Sequence, residues 1–495
     1  MALTVSPSSA VAGQTVTFTA ALNPSGACCA VALDDYSIGG AEAGVVNLSG
    51  GRGTSAVTSL GVGTHSIYGQ YYGNAPYEPS DSSPVTVAIA AVGADCGLVG
   101  GAYEATSGSV SQTGQRYAAT AKNQSALCAT GAGTVLTLNN PTVTSTFNPL
   151  GYDDISGLGA AVLAYSAGAG LGGTIDIVGG TVEPNGEGID AVFASGPGAT
   201  VNVTGATLTT TEPGVAFQYS DHAAGAGRGG SVVLNNVTAS NSSQSSYLLA
   251  ADGDGSSIAV TGGTFSDNGV AGIARLEGAS SLSLTNVAAT TTGIRGIVLT
   301  NGATDGSAVG SGTLTMSGGS LTVSGTYSYP QAILVQGGNT SGANANISLT
   351  GTALSPVSST ANLDAGFLVL TGTSTATLDA SGETIVGDFV GDPDSTLTVV
   401  LQAKTAWTGY FVGFGGFAGA TGGVSLTVDA TSSWTVTGNT TVGAFSDPAG
   451  ISGGNVTNVT GNGFTVTYDT ARSPALGGRT YQLVGGGVLL PGATN

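Results

Sequence analysis

Apolar and polar residues alternate through short runs along the chain, the two-residue period of a β-strand with one buried face. One such run, SIAVTGGTF at 257–265, recurs almost unchanged as TIDIVGGTV from Thr174, TVNVTGATL from Thr200 and TLTMSGGSL from Thr313. Aligning the phrase places one strand of successive units at Thr174, Thr200, Ser231, Ser257, Ser281, Thr313 and Asn346. The spacing of 24–33 residues lies in the range of a solenoid. Each unit carries a second apolar strand: AAVLAYS from Ala160, GIDAVFAS from Gly188, GVAFQYS from Gly214, AGIARLEG from Ala271, RGIVLTNG from Arg295, QAILVQGG from Gln331 and AGFLVLTG from Ala365. Two strands and a shorter third per unit, with loops of variable length, predict a right-handed parallel β-helix.

In the repeated phrase Ile258 and Val260 are expected to point inward and Ala259 outward. Gly262-Gly263 then turns the chain, and other copies carry Gly205, Asn235-Asn236, Asn286, Gly318-Gly319 or Gly351 there, the residues that tolerate a left-handed backbone. Stacked asparagines are in place to hydrogen-bond from coil to coil. The second strands supply the expected core: Ile189, Phe193, Val215, Phe217, Ile273, Ile297, Leu299, Ile333, Val335, Phe367 and Val369. Coils stack at about 4.8 Å, so roughly thirteen of them would span on the order of 60 Å, with open strand edges at both ends that require caps. Residues 93–130 are assigned to a linker and N-terminal cap, and 131–495 to the β-helix with a C-terminal cap.

Residues 1–92 follow another rhythm. Strand candidates at Leu3–Val5, Thr15–Thr19, Val31–Leu33, Gly44–Leu48, Thr54–Thr58, Ser66–Tyr72 and Pro84–Ile89, the first two joined by a turn at Ala12-Gly13, predict a β-sandwich. VSPSSAVAGQTVTFTA, SLGVGTHSIYGQYYGN and YEPSDSSPVTV resemble the first strands, late hairpin and last strand of bacterial Ig-like domains, whereas GACCAVALDDYSIGG departs from that pattern. The resemblance implies an Ig-like fold acting as a spacer or contact module. The C-terminal stretch resembles a family of secreted, adhesin-like bacterial β-helix proteins, solenoids of the pectate-lyase type. The likeness rests on Gly461-Asn462-Gly463, Tyr468-Asp469, Leu476-Gly477-Gly478-Arg479-Thr480-Tyr481 and Gly485–Gly487, with SSWTVTG from Ser432 and GLGAAVLA from Gly157 in support. It implies the fold, and implies function only loosely.

Composition narrows the function. The 495 residues include 84 Gly, only 8% are charged, and the net charge is −20. That balance excludes nucleic acid and anionic lipid as partners, both of which need a basic surface. No apolar run approaches the ~20 residues of a membrane-spanning helix. MALTVSPSSA lacks the basic and apolar regions of a signal peptide, so the export route is left open.

Charges are rare enough to follow singly. Asp190, Asp221, His222, Arg228, Asp252, Asp254, Arg275, Glu277 and Arg295 fall on consecutive coils, where stacking would gather several on one face. Polysaccharide lyases and hydrolases of this fold use such carboxylates and bases. The aromatic platforms of a sugar groove are sparse, however, with only Phe217, Tyr219 and Tyr247 nearby. Scattered solvated charges in loops, or a non-catalytic glycan or ion contact, are the alternatives, and no catalytic residue is assigned. ADGDGSS sets Asp252 and Asp254 two apart among glycines, a pattern that suits either an oxygen-ligated Ca²⁺ or a plain Asp-Gly turn. His65 borders a sandwich strand and is expected to be structural; with His222 isolated as well, no zinc or histidine-based site is assigned. Cys96 and Cys128 flank the β-helix entrance, where a disulfide would pin the cap. Cys28 and Cys29 are adjacent, and a bond between neighbours on a strand is strained, so one is expected to be free to cross-link to a partner or a second copy.

The expected protein is a non-catalytic extracellular or cell-surface rod, with a surface glycan or protein as partner and no cofactor beyond that Ca²⁺. A phage virion component is the alternative and a glycan-degrading enzyme the third.

Overall fold

A computed structural model describes residues 1–495 apart from 7, 12–14, 24–25, 27, 36–40, 58–59, 61–62, 75–76, 91–95, 97–99, 122–123, 147–156, 158, 167, 169, 187, 212–221, 243–245, 302–309, 326–329, 338–341, 356–365, 415–422 and 493–495. The expected turn at Ala12-Gly13 lies outside them. All seven expected sandwich strands are present. Ala2–Ser6, Val16–Ala21 and Arg52–Val57 form one antiparallel sheet. Cys29–Asp35, Ala41–Leu48, Gly63–Tyr71 and Val85–Ala90 form the other, joined by the short Ser9–Val11 and Ser80–Asp81. Phe18, Val31, Leu33, Ile67 and Val87 are wholly buried between them. His65 pairs inside this domain with Asp35, at 2.5 Å and across neighbouring strands, in keeping with a structural role.

Cys28 and Cys29 depart from expectation. They are bonded to each other, and no described cysteine is free. Cys28 precedes the strand, and Cys29 takes φ 87°, so the pair escapes the alternation that would have sent their side chains to opposite faces. Neither thiol is available for cross-linking.

The second unit is a parallel β-helix. Each coil contributes one strand to each of three faces, here called A, B and C in chain order. Face A is a 12-stranded sheet from Gly101–Ala105 to Phe411–Val412, and face B a 13-stranded sheet from Ser109–Thr113 to Ala444–Ser446. Face C runs for nine strands from Arg116–Ala119 to Ala353–Leu354, and a second nine-stranded sheet takes over from Thr384–Val386. Stacking thus begins at 101, inside the stretch assigned to linker and cap. Every aligned copy of the repeated phrase lies in register with the next: Thr174, Thr200, Ser231, Ser257, Ser281, Thr313 and Asn346 form one column of face B.

The turn from face B to face C explains the glycines. Asn140, Gly179, Gly205, Asn236, Gly262, Asn286, Gly318, Gly351 and Gly382 all have φ between 48° and 68°. The N–H of each donates to the carbonyl of the last face B residue one coil on, as in Gly262 to Thr285 and Asn286 to Ser317, both at 2.8 Å. The expected asparagine ladder does not form, because no asparagine follows another in this column. A Cβ at Gly262 would strike Asn236 Oδ1, and one at Gly318 would strike Asn286 Oδ1. Each asparagine leans over a glycine in the next coil.

Inside, face B supplies Ile175, Val201, Val232, Ile258, Leu282 and Leu314 as one buried stack. Face C alternates bulk, with Leu208, Ala239, Phe265, Ala289 and Leu321 in consecutive coils, so that neighbours interdigitate. On face A, Ile273, Ile297, Leu299, Ile333, Val335 and Phe367 join this core as expected. Ile189 is buried too, whereas Val215 and Phe217 lie outside the described residues. Phe193 and Val369 point the other way. Phe193 packs with Cys96, Cys128 and Leu163, and Val369 with Val298, Leu334 and Val390. Face A is buried on both sides, so its strands read as continuous apolar runs and their alternation cannot fix which residue faces in. The strand expected from Gly214 lies outside the described residues, and the face A strand of that coil is Ala224–Gly227. AGAG carries no bulk because the Phe193 ring fills the space that a Cβ at Gly225 would need.

Both ends are finished differently from the middle. In the first coil Tyr103, Gln112 and Tyr117 stand where the second has Leu127, Leu138 and Val143. Gln112 bridges the two tyrosine hydroxyls at 2.7 Å each, laying a polar lid over the apolar stack. At the other end Trp407 and Trp434 stack at 5.0 Å, and each donates its indole N–H to a carbonyl of the preceding coil, Gly387 and Gly409, at 2.9 Å. Beyond them Tyr481–Val484 and Val488–Pro491 pair antiparallel and end the stack, with the Tyr468 and Tyr481 hydroxyls held by the carbonyls of Arg479 and Leu476.

Two outcomes test this account. Gly262→Asn should lower stability by about 1–2 kcal/mol through overpacking against Asn236, whereas Gly351→Asn, which faces Gly382, should change it by under about 0.5 kcal/mol. Equal losses on chemical denaturation would show that backbone conformation alone governs the column. Secondly, both tryptophans lie in the β-helix, and the two cores share no residue. Removing residues 1–92 is therefore expected to leave the tryptophan-fluorescence melt within a few degrees of the full chain's; a collapse of that melt would make the sandwich the cap of the coils.

Candidate functional site

Face A collects the charges that the sequence marks in three outward columns, the second three residues along each strand from the first and the third two residues further on. Asp190 and His222 open the first, before the strands at 192–195 and 224–227. Asp190 Oδ1 lies 2.9 Å from both the backbone nitrogen and the ring Nδ1 of His222. Tyr247, Gly272, Arg295 and Gln331 continue in register, and Arg295 Nη1 donates to the Tyr247 hydroxyl at 3.3 Å. From Cys128 onward the middle column is largely apolar, running through Leu163 and Phe193 to Val298, Leu334 and Val369, with Arg275 charged within it and Glu104 in register before Cys128. Asp252 and Glu277 stand in the third, and Glu277 Oε1 accepts from Arg275 Nη2.

Burial decides what this constellation can do. Asp190 is 3% exposed, His222 and Asp252 0%, and Glu277 1%. A carboxylate that protonates or attacks a glycosidic bond must be reached by the sugar. These four are instead enclosed, and burying them requires the partners that hold them. Sequence stacking correctly gathers Asp190, His222, Asp252, Arg275, Glu277 and Arg295 on face A, but it cannot reveal that most of them are covered. Asp221 and Tyr219 lie outside the described residues.

Arg228 and Asp254 are exposed, in the turns leading from face A to face B. Asp254 Oδ1 accepts the Ala279 N–H at 3.2 Å, while the Asp252 carbonyl accepts from the Ser256 hydroxyl at 2.7 Å and the Arg228 N–H at 3.1 Å. ADGDGSS is thus a turn tied to the coils on either side. Among the described residues no three His, Cys, Asp or Glu side chains are grouped to hold a metal, so Asp252 and Asp254 have no third acidic ligand there. Cys96 and Cys128 are joined, with Cα atoms 5.8 Å apart. The bond fastens residue 96 to the outer side of the second coil. Among the described residues no helix is long and apolar enough to cross a membrane.

One titratable group escaped the sequence analysis. Asp267 ends a face C strand at a fully buried position that Asn241 and Thr291 hold in neighbouring coils. Burial raises its carboxyl to about 6, although the Thr291 hydroxyl (2.7 Å) and the Gly269 N–H (3.2 Å) donate to it. The stabilisation from a raised carboxyl is complete below its unfolded value near 4 and is lost as pH rises through about 6. Relative to Asp267→Asn, the native chain should therefore lose about 1.4 kcal/mol of stability per pH unit between about pH 4 and 6. Parallel denaturation of the two proteins across pH 4–8 checks this; a pH-independent difference would show that Asp267 stays ionised.

The fold and these columns define a β-helix protein headed by an Ig-like module. Residues 3–90 match the bacterial Ig-like domain family, group 3. No curated protein matches the chain. A solved family 28 exopolygalacturonase of Yersinia enterocolitica is similar over 98% of this chain and 98% of its own, at 10% identity and a TM-score of 0.21, too low to carry an argument about fold or activity.

Proposed function

We propose that the chain is a non-catalytic extracellular rod, displayed or secreted at a bacterial surface for adhesion or surface architecture. The single observation that carries the proposal is the enclosure of Asp190, His222, Asp252 and Glu277, the acids and base that a glycan-cleaving β-helix would need in the open. Two further features support an outside location. Both cysteine pairs are disulfide-bonded, a state that persists in oxidising compartments. A net charge of −20 on so few ionisable residues favours solubility without a basic partner surface.

The test is enzymatic. Incubation with a panel of acidic and neutral polysaccharides is expected to release neither reducing ends nor unsaturated sugars. Release that disappears in Asp252→Ala or Arg275→Ala would replace the rod with an enzyme.

A further inference from the structure

Face A ends abruptly, and the break leaves a cavity. The backbone ladder stops at Phe411–Val412. Thr440, which opens the next strand, Thr440–Val442, replaces it with one side chain: its hydroxyl accepts from the Phe411 N–H at 3.1 Å and donates to the Phe411 carbonyl at 2.9 Å. The space left beside this junction amounts to about 410 Å³, within the range of small-molecule sites. Its lining includes Phe411 and Phe414, whose rings meet edge to face at 6.3 Å. It also includes Asn439, Thr441, Thr465 and Thr467.

We propose that this cavity binds one unit of a neutral saccharide. Among the described residues its lining holds no ionisable side chain, and so no charge there to neutralise a uronate, sialate or phosphate. Thr441 and Thr467 are register partners in adjacent parallel strands, so their half-buried side chains repeat at about 4.8 Å. Thr465 lies two residues along on the same face. Asn439 spends its Oδ1 on the Thr465 N–H at 2.9 Å and has an amide NH₂ left to donate. Hydroxyls and an amide in one pocket with a half-buried phenyl ring, that of Phe414, match a pyranose, which presents an apolar C–H face and equatorial hydroxyls. The inference rests on the adhesive reading above and gives it a contact site far from the charged columns of face A.

A glycan array of neutral hexose and N-acetylhexosamine oligosaccharides, printed beside uronic-acid and sialylated ones, tests it with the full chain. Neutral glycans should bind; Phe414→Ala should weaken them at least tenfold and Thr467→Val severalfold, with tryptophan-fluorescence melts unchanged for at least the Thr467 variant. An acidic preference, binding unaffected by both variants, or no binding at all overturns the site. Adhesion of the chain to bacterial and host-cell surfaces separates this from the broader reading. Adhesion that survives both variants removes the site alone, whereas array binding without adhesion by the native chain removes the adhesive role alone.

Discussion

The structure depends on one geometric condition: every coil must repeat its three strands at the same height as its neighbours, so that each backbone N–H meets a carbonyl one coil away. Parallel ladders tolerate no local repair by hairpins, and a slip of one residue would turn every side chain of a strand to the opposite face. The turn between faces B and C enforces the condition. Its left-handed residue sets where face C begins, and its N–H closes the ladder at that corner. Insertions lie at the other corners, which border face A, and that is where the repeat length varies. Regularity is concentrated in one corner and variation in the others.

The same division explains how much could be read from the sequence. Face B has one buried and one solvated side, so its alternation is clean, and the aligned phrase found the hydrogen-bonded register itself. Face A is buried on both sides. There Val192-Phe193-Ala194 and Leu368-Val369-Leu370 are apolar throughout, and only the folded coil distinguishes Phe193 and Val369 as outward-facing. AGAG at 224–227 was invisible as a strand because its bulk is supplied by Phe193 of the neighbouring coil. The vicinal cysteine bond depends on one positive φ at Cys29, a conformation that residue type does not announce. Charges on face A were legible as a group, since stacking is a matter of counting; their enclosure depends on tertiary packing and was not.

Capping follows a common logic by different means. At the N-terminal end polar side chains at inward positions satisfy one another and present a finished surface. At the C-terminal end aromatic stacking fills the coil, and an antiparallel pair stops the parallel ladder. A solenoid without such terminators presents unpaired edges to any other strand. The tail of glycines and tyrosines that resembles secreted β-helix proteins therefore has a physical role as a terminator, which is reason enough for a distinct wording at the end of a repetitive chain.

The asparagine column bears on how such a chain can lengthen. Duplicating a coil is the simplest way to extend a solenoid, but the coils here are not interchangeable. A copied glycine coil stacks on its parent without conflict. A copied asparagine coil would set one carboxamide against the Cβ of the next, so its growth requires a glycine coil between the two. The order Asn140, Gly179, Gly205, Asn236, Gly262, Asn286, Gly318 obeys that grammar throughout, with no two asparagines adjacent. Extension by single-coil duplication is thereby steered toward the glycine-bearing units, and the high glycine content of the chain records a rule of neighbourhood as much as a need for flexible turns.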